Sequence, residues 1–323
     1  MTRALVVGGA GFVGSHLVDR LLAEGHEVIA IDDLSRGAYA SVAHLKRERR
    51  FAFLEHDVAK AFRAKVDAVF HLAMPSTRMA CEIDPVKAAM TCVLGTMNVL
   101  DVAAANAARV VLSTATERWG EGVRCAEALA VDFARSRGTD VRVVRQPSAY
   151  GPRMAPDGDH IVTELVFQAL RGDDLRPRAR LEKRLRLAYV DDVVETLVRA
   201  MSSEERIPAV VAPSSEATVR ALAHLIAEAV GLAGIEVTDA FDDGPAASLP
   251  MSGRPTLVDS LPASIALGLV PSVELDEGVR RTVGWFESRT ARPLRTAERT
   301  SGVFLRGGRD TISEAPPATR RAG

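Results

Sequence analysis

The residues with the clearest chemical use lie near the start of the chain. Gly8, Gly11 and Gly14 follow a strand-like apolar run at 4–7 and open a helical pattern. These glycines permit a tight turn, a close backbone approach to a pyrophosphate and close helix–strand packing, and they place phosphates at the positive end of a helix. Asp32 ends the next apolar run, where a carboxylate accepts hydrogen bonds from ribose hydroxyls and repels a 2′-phosphate. The spacing therefore predicts a dinucleotide site that favours NAD over NADP.

Two alternatives stay open at this site. Arg36, four residues after Asp32, could soften the preference against a 2′-phosphate. The glycine segment could also be a turn without a ligand. The strand before it, the helix after it and the acidic residue at the expected distance together favour the dinucleotide interpretation.

The elements that must position these residues alternate along the first half of the chain. Continuous apolar runs predict buried parallel strands at 4–7, 27–31, 51–54, 67–72, 109–112 and 141–144. Helical patterns lie at about 12–24, 39–48, 85–105 and 121–137. This repetition predicts right-handed crossovers and an α/β fold with a Rossmann-type doubly wound parallel sheet.

Three regions are predicted along the chain. Residues 1–150 form an NAD-binding Rossmann domain, and Gly151-Pro152-Arg153 marks its end. Residues 151–287 form a smaller C-terminal substrate lobe, interleaved with the first domain, with helices at about 160–171, 190–203 and 216–231. Residues 288–323 carry eight Arg against three acidic residues and no sustained apolar period, which predicts a disordered basic tail. That tail is either solvated or in contact with an acidic partner.

Composition excludes several classes of protein. The 323 residues include 41 Lys+Arg and 42 Asp+Glu, so the net charge of −1 gives no general attraction to nucleic acid or to an anionic membrane. Three cysteines without a C-x-x-C motif do not form a disulfide framework. We predict no metal site, no membrane span and no signal peptide. A soluble protein in the reducing cytoplasm is expected.

Six further segments, in order, resemble the extended short-chain dehydrogenase/reductases, the family of nucleotide-sugar epimerases, dehydratases and decarboxylases. Within it the sequence is most similar to UDP-glucuronate decarboxylases, over residues 3 to about 287. The segments are Phe70-His71-Leu72-Ala73-Met74-Pro75-Ser76, Asp84-Pro85-Val86-Lys87, Gly95-Thr96-Met97-Asn98-Val99-Leu100, Tyr150-Gly151-Pro152-Arg153-Met154, Phe167-Gln168-Ala169-Leu170-Arg171-Gly172 and Tyr189-Val190-Asp191-Asp192-Val193.

The resemblance implies NAD as cofactor and a nucleotide sugar, UDP-linked, as substrate. It places Asp57 and Val58 beside the adenine, and Leu72 and Ala73 on the nicotinamide side. Together with the residue pattern, the cofactor-binding set is Gly8, Gly11, Phe12, Val13, Gly14, Asp32, Asp33, Ser35, Arg36, Asp57, Val58, Leu72 and Ala73. The implied substrate-binding set is Ser148, Arg184, Arg186 and Arg254.

Among three positions that the resemblance assigns to ligand contacts, one keeps the family residue and two do not. Arg254 matches an arginine that binds the nucleotide diphosphate, for which a guanidinium fork is well suited. The second substrate arginine is replaced by Leu185, whose neighbours Arg184 and Arg186 either take over its role or form only a charged strand. Cys92 stands where the family has an asparagine near the cofactor.

The family's proton relay is missing from this sequence. The resemblance implies a catalytic Tyr, a Lys four residues later and a Ser or Thr, but no tyrosine of this chain is followed four positions later by Lys. Ala115, Trp119 and Val123 stand at the Ser/Thr, Tyr and Lys positions. Thr116 and Glu117 remain as candidate catalytic residues, because a carboxylate can serve as a general acid or base.

Three functions stay open from the sequence. One is an enzyme that acts on a nucleotide sugar with non-standard proton-transfer residues. Another is a catalytically inactive NAD-binding pseudoenzyme that serves as a regulatory or partner subunit, and the third is a related fold with structural NAD and a non-redox reaction. By resemblance, the apolar helices at about 85–105 and 121–137 predict a homodimer.

Overall fold

Parallel strands form the centre of the structure, a computed structural model that describes residues 2–75, 78–116, 121–156, 160–205, 209–232, 235–239, 261–290 and 312–314. The strands are β1 Arg3–Val7, β2 Glu27–Asp32, β3 Phe51–Glu55, β4 Phe62–Ala64, β5 Ala68–His71, β6 Arg109–Ala115, β7 Val141–Gln146, β8 Ser148–Tyr150, β9 Arg184–Tyr189, β10 Ala209–Val211, β11 Ser215–Thr218, β12 Leu261–Pro262 and β13 Ile312–Glu314. The helices are α1 Phe12–Ala23, α2 Arg78–Ile83, α3 Pro85–Ala105, α4 Glu121–Arg137, α5 Ile161–Arg171, α6 Val190–Ser202, α7 Val219–Val230, α8 Ala263–Ala266 and α9 Leu275–Thr290.

Eight strands make one sheet in the order β12-β10-β7-β6-β5-β1-β2-β3, and every pairing in it is parallel. The predicted doubly wound α/β fold is therefore confirmed. A smaller sheet, β11-β9-β8, lies in the second half of the chain, although β10 and β12 of that half join the large sheet. The division into an NAD-binding domain and an interleaved substrate lobe, with its boundary at 150/151, stays a prediction.

Strand register brings the ends of the central strands to one edge. Val7 pairs with Ile31 on one side and with His71 on the other, and His71 pairs with Leu112. The residues that follow these strands therefore line a single crevice at the carboxyl edge, which is where open α/β sheets bind ligands.

Side-chain alternation along the strands divides the core between the two faces of the sheet. Val6 packs with Leu17 of α1 and other residues on one face. Leu5 packs with Leu100 of α3 on the other face. Both faces are covered by helices, as a parallel sheet requires.

Helix α3 begins at a defined cap and carries an apolar surface. The Asp84 carboxylate accepts a hydrogen bond from the Lys87 N–H at 2.8 Å, and Pro85 occupies the first helical position. Among the described residues, α3 is the one helix whose length and composition would suffice to cross a membrane. Lys87 and Asp101 interrupt its apolar sequence, and the helix packs against α4 and β5.

Two predicted elements differ in the structure. The helix predicted at 39–48 is a pair of 3₁₀ turns, Tyr39–Ser41 and Ala43–Arg47, since the segment lacks a sustained apolar stripe and no side chain caps either turn. The helix predicted to begin at 216 begins at Val219, because residues 215–218 pair with β9. Thr218 then caps the helix by accepting the Ala221 N–H.

Two short parts of the predicted basic tail lie within the described residues, and its disorder stays a prediction. Ile312–Glu314 forms an antiparallel pair with Phe62–Ala64, a strand that the sequence pattern did not predict. Helix α9 extends to Thr290, and the other tail residues lie outside the described ranges.

Candidate functional site

The glycine turn after β1 leaves no room for side chains. A Cβ atom on Gly14 would lie 2.0 Å from the carbonyl oxygen of Gly8, and one on Gly8 would lie 2.9 Å from the Ala73 nitrogen. Gly8 has φ = +84°, and its N–H donates to the Ile31 carbonyl at 2.7 Å. These contacts fit the turn predicted at Gly8 and the close packing predicted at Gly14, and the approach of Gly11 to a pyrophosphate stays a prediction.

The amino end of α1 opens from this turn. Gly11 is the residue before the helix and has no side chain to cap it, and the first turn, which begins with the half-buried Phe12 and Val13, contains no acidic residue. The N–H groups of this turn are thus available to an anion, and no carboxylate within α1 competes for them. The turn is shaped for a phosphate group.

Asp32 lies beside the turn at the end of β2. Its carboxylate accepts hydrogen bonds from the Ala10 N–H at 3.0 Å and the Leu34 N–H at 2.9 Å. Burial raises the pKa of this carboxyl to about 6, although the backbone donors oppose the shift. Each carboxylate oxygen retains a second lone pair with which it can accept a ribose hydroxyl.

The residues after Asp32 form a polar turn. Asp33 accepts hydrogen bonds from the Ser35 N–H at 3.0 Å and the Ser35 hydroxyl at 2.6 Å, and it lies 3.4 Å from the Lys87 ammonium. Burial acts to raise the pKa of Asp33, but these partners outweigh it and hold the pKa below its usual value. Ser35 and Arg36 are exposed. The predicted cofactor residues of this turn therefore border the same crevice.

The ends of β3 and β5 contribute the rest of the predicted cofactor set. The Leu72 N–H donates to the Val7 carbonyl at 2.8 Å, which holds Leu72 and Ala73 against the glycine turn. Val58 is buried and its carbonyl accepts a hydrogen bond from Asn98 at 2.8 Å. Asp57 precedes it and accepts the Ala59 N–H.

Thr116 follows β6 at the same edge. Its N–H donates to the Gln146 carbonyl at 2.8 Å, and the Gln146 amide donates to the Ser113 hydroxyl at 2.7 Å. Thr116 is half-buried. The other candidate catalytic residue, Glu117, lies outside the described residues. Glu121, a neighbouring carboxylate, is exposed and paired with Arg124.

Val123, predicted from the family resemblance to stand at the lysine position, lies in an apolar environment. Val123 is 3% exposed and packs with Cys92, Ala126 and Met74 in a group that we call the apolar cluster. Burial raises the pKa of the Cys92 thiol to about 12, so this thiol stays neutral and behaves as a small apolar group. The cluster thus supplies neither a cation nor a ribose ligand.

None of the three tyrosines replaces the missing base. Tyr150 and Tyr189 stack edge to face with ring centroids 5.5 Å apart, and the Tyr150 hydroxyl donates to the Leu275 carbonyl at 3.4 Å. Burial raises the pKa of Tyr150 well above its usual range. Tyr39 packs against the ring of Phe53. All three tyrosine side chains are engaged in contacts with other side chains or backbone.

Beneath the apolar cluster lies a buried ion pair that sequence reasoning missed. Glu127 of α4 and Arg145 of β7 are 1% and 2% exposed, and they make two hydrogen bonds at 3.0 and 2.7 Å. Glu127 also accepts the Thr114 hydroxyl at 2.8 Å. A signal was present, because Glu127 lies on the same helical face as Val123 and Ala130, where apolar residues are expected.

The predicted substrate residues are not all brought together. Ser148 lies two residues beyond β7, and its hydroxyl is 2.8 Å from Nε2 of His160, a partner that sequence reasoning missed. Arg184 and Arg186 are exposed on β9, with Arg184 3.9 Å from Glu216, whereas Leu185 is buried in the core. Arg254 lies outside the described residues.

His71 is a fully buried core residue whose ring is only partly satisfied by hydrogen bonds. Its Nε2 lies 3.3 Å from the Thr96 hydroxyl, and its Nδ1 has no hydrogen-bond partner among the described residues. Burial lowers the pKa of His71 to about 3, which keeps the ring neutral. Within the described part of the chain, no three His, Cys, Asp or Glu side chains are grouped as metal ligands.

Comparison with known proteins gives a consistent result. The sequence pattern of the "NAD dependent epimerase/dehydratase family" matches residues 4–124 and 115–211. UDP-glucuronic acid decarboxylase 1 of Xenopus tropicalis is 32% identical over 88% of this chain and 72% of its own length. The Arabidopsis thaliana protein of the same name is 33% identical over 89% of this chain and 70% of its length.

Solved structures share the fold over nearly their whole length. A UDP-glucose 4-epimerase of Thermotoga maritima, solved with UDP-glucose, has a TM-score of 0.73 at 25% identity and covers 88% of this chain and 99% of its own. A UDP-glucose 4-epimerase of Thermus thermophilus, in complex with NAD, has a TM-score of 0.70 at 25% identity and covers 89% of this chain and 99% of its own.

Proposed function

Because the chain belongs to the NAD-dependent epimerase/dehydratase family, we propose that it binds NAD and a UDP-linked sugar at the carboxyl edge of its sheet and modifies that sugar. The observation that carries the proposal is the glycine turn, where Gly8 and Gly14 approach neighbouring backbone too closely for any Cβ atom. Such a cradle, with Asp32 beside it, fits the pyrophosphate and ribose of a dinucleotide.

Each part of the crevice would hold one part of the ligands. The first-turn amides of α1 would bind the pyrophosphate, Asp32 the adenosine ribose, and Asp57 and Val58 would flank the adenine. Leu72 and Ala73 would face the nicotinamide. When bound, NAD supplies an acceptor for the hydride of a sugar carbon.

Proton transfer requires residues other than the family's Tyr and Lys. Thr116 follows the strand that borders the nicotinamide side, so its hydroxyl is suited to hydrogen-bond the sugar. Glu117 is the next residue and would accept and return the hydroxyl proton. Ser148, Arg184, Arg186 and Arg254 remain the proposed contacts to the nucleotide sugar; of these, Arg184 and Arg186 are exposed on β9 and Ser148 is half-buried.

The apolar cluster favours a second function. Val123, packed with Cys92 and Met74, offers no group that could lower the pKa of a base or bind the ribose of the nicotinamide. A protein that retains NAD and a nucleotide sugar without turnover, as a regulatory or partner subunit, would tolerate this packing. The two functions share the binding site and differ only in proton transfer.

One experiment separates them. Purified protein is incubated with NAD and a panel of nucleotide sugars, UDP-glucuronate first, while the absorbance of reduced nicotinamide and the masses of products are recorded. The matched variants are Glu117→Gln and Glu121→Gln, since Glu121 is an exposed carboxylate nearby. A product that is lost in the first variant and kept in the second supports the enzyme. No product across the panel, with NAD binding confirmed by calorimetry, supports the pseudoenzyme.

We also propose that two copies associate through α3 and α4. Val86, Met90 and Leu94 recur every four residues on α3 and expose 71%, 47% and 37% of their surface, so they form an apolar stripe beside α4. Burying this stripe against a second copy would remove it from water. Size-exclusion chromatography with light scattering should give a dimer, and Met90→Glu should give a monomer; a monomeric wild type contradicts the proposal.

A reducing, cytoplasmic location is also proposed, since three cysteines without a C-x-x-C motif do not form a disulfide framework.

A further inference from the structure

A serine–histidine pair lies at the carboxyl edge of the sheet, close to Thr116. The Ser148 hydroxyl and Nε2 of His160 are 2.8 Å apart, and both residues are half-buried. The hydrogen bond from the Thr116 N–H to the Gln146 carbonyl places Ser148 two residues away from that contact. The pair therefore borders the part of the crevice assigned above to the sugar.

Hydrogen bonding of the imidazole fixes which nitrogen holds the proton. The Val162 N–H donates to Nδ1 of His160 at 3.2 Å, and a backbone N–H can only donate. Nδ1 is therefore an acceptor, so the proton of the neutral ring is on Nε2. Nε2 then donates to the Ser148 oxygen.

In this arrangement the pair can donate a hydrogen bond to a ligand, but His160 cannot act as a general base. Neither nitrogen of the neutral His160 ring is free to take a proton, since Nδ1 is occupied and Nε2 already holds one. The Ser148 hydroxyl accepts from Nε2 and is left with its own hydrogen to donate. Accepting a hydrogen bond strengthens a hydroxyl as a donor, and an anionic oxygen is its strongest acceptor.

We propose that His160 is a positioning residue that holds the Ser148 hydroxyl as a donor to an anionic oxygen of the nucleotide sugar. Two oxygens have this chemistry, those of the diphosphate and those of a sugar carboxylate. The inference rests on the proposed function, because it requires a nucleotide sugar at this edge.

The test uses variants that separate the two hydrogen bonds of His160. His160→Asn keeps an acceptor for the Val162 N–H and caps α5 well, but its amide is too short to reach Ser148. His160→Gln keeps a donor that can reach Ser148 and weakens the cap. Ser148→Ala removes the hydroxyl. Calorimetry on the NAD-loaded full chain measures the affinities for UDP, UDP-glucose and UDP-glucuronate, and thermal unfolding measures stability.

We expect His160→Asn and Ser148→Ala each to weaken binding by about tenfold, with the double variant no weaker than Ser148→Ala alone. NAD affinity and the melting temperature of His160→Asn should stay near those of the wild type, and His160→Gln should retain most of the affinity. A loss with all three ligands identifies the diphosphate as the acceptor, and a loss with UDP-glucuronate alone identifies the carboxylate.

Two results overturn the inference in different ways. If the wild type binds NAD but none of the three nucleotides, the proposed function fails and this inference fails with it. If the wild type binds them and His160→Asn binds equally well, only the inference fails, and His160 is a helix cap. A loss in His160→Gln without a loss in His160→Asn has the same meaning.

Discussion

The crevice has two ends, the glycine turn after β1 (the first end) and the start of α4 (the second end), and different kinds of contact form them. At the end of β1, backbone atoms meet so closely that only glycine fits, and Asp32 adds a charged acceptor for a ligand. At the start of α4, Val123 packs with Cys92, Ala126 and Met74 in the apolar cluster. The first end leaves backbone groups and a carboxylate available to a ligand, whereas the second end is filled by the protein's own side chains.

The helix at the second end keeps its position without catalytic side chains. The Glu127–Arg145 pair and the Thr114 hydroxyl attach α4 to β6 and β7 from beneath. Helix placement therefore has support in addition to the packing of Val123. The buried contacts that hold α4 in place are separate from Thr116 and Glu117, the residues proposed for proton transfer.

The largest effect on cofactor binding is expected from Gly14→Ala at the first end. The new Cβ atom would lie 2.0 Å from the Gly8 oxygen, so the turn must open, and NAD affinity should fall by at least about 100-fold. Gly284→Ala in α9 is the matched control, since nothing lies within 4 Å of its Cβ position. Calorimetry checks both variants. Full NAD affinity in Gly14→Ala would mean that the turn does not form the cofactor site.

Glu127→Ala tests the second end. It would remove both hydrogen bonds that Glu127 makes to the buried Arg145 guanidinium, so the free energy of unfolding should fall by about 3–5 kcal/mol. Glu121→Ala, which removes an exposed pair with Arg124, should cost at most about 1 kcal/mol. Urea denaturation measures both values. Equal losses would show that the buried pair does not anchor α4.

Val123→Lys tests whether the apolar cluster at the second end can accept a charged side chain. The ammonium would enter the apolar cluster without an acceptor, so we expect a loss of about 2–3 kcal/mol in the free energy of unfolding. Val123→Met, of similar length but apolar, should lose less. If urea denaturation gives the same stability for the lysine variant and the wild type, the cluster is less dry than its packing indicates.

Sequence and structure agree best where one residue type has a single use. The sequence places Gly14 at the turn after β1 and Asp32 at the end of the next strand, and the structure has both there, because few other reasons place these types after consecutive strands. The Glu127–Arg145 pair and the Ser148–His160 pair were not found, since each depends on how a helix or loop packs against a strand. The helix predicted at 39–48 was wrong for a local reason, the lack of an apolar stripe.

The smallest expected effect on stability comes from the charge of the Asp32 carboxylate at the first end. Burial raises the pKa of Asp32 to about 6, above its value in the unfolded chain, so the folded protein binds a proton there between about pH 4 and 6 that the unfolded chain has released. Without NAD, the stability contributed by this group therefore falls as pH rises through that window. Asp32→Asn should remove the slope and be more stable than the wild type by about 1–2 kcal/mol at pH 7.5.

Binding should show the opposite trend, since ribose hydroxyls donate best to an ionised carboxylate. NAD affinity of the wild type should fall as the pH drops below about 6, and the affinity of Asp32→Asn should be lower throughout and nearly flat over the same range. Thermal unfolding of the protein without NAD, and calorimetry with NAD, at pH 4.5 to 8 measure the two trends. If both are flat in the wild type, Asp32 is ionised throughout and is held by its backbone donors alone; if they run in opposite directions, the acceptor that binds the cofactor also destabilises the empty site.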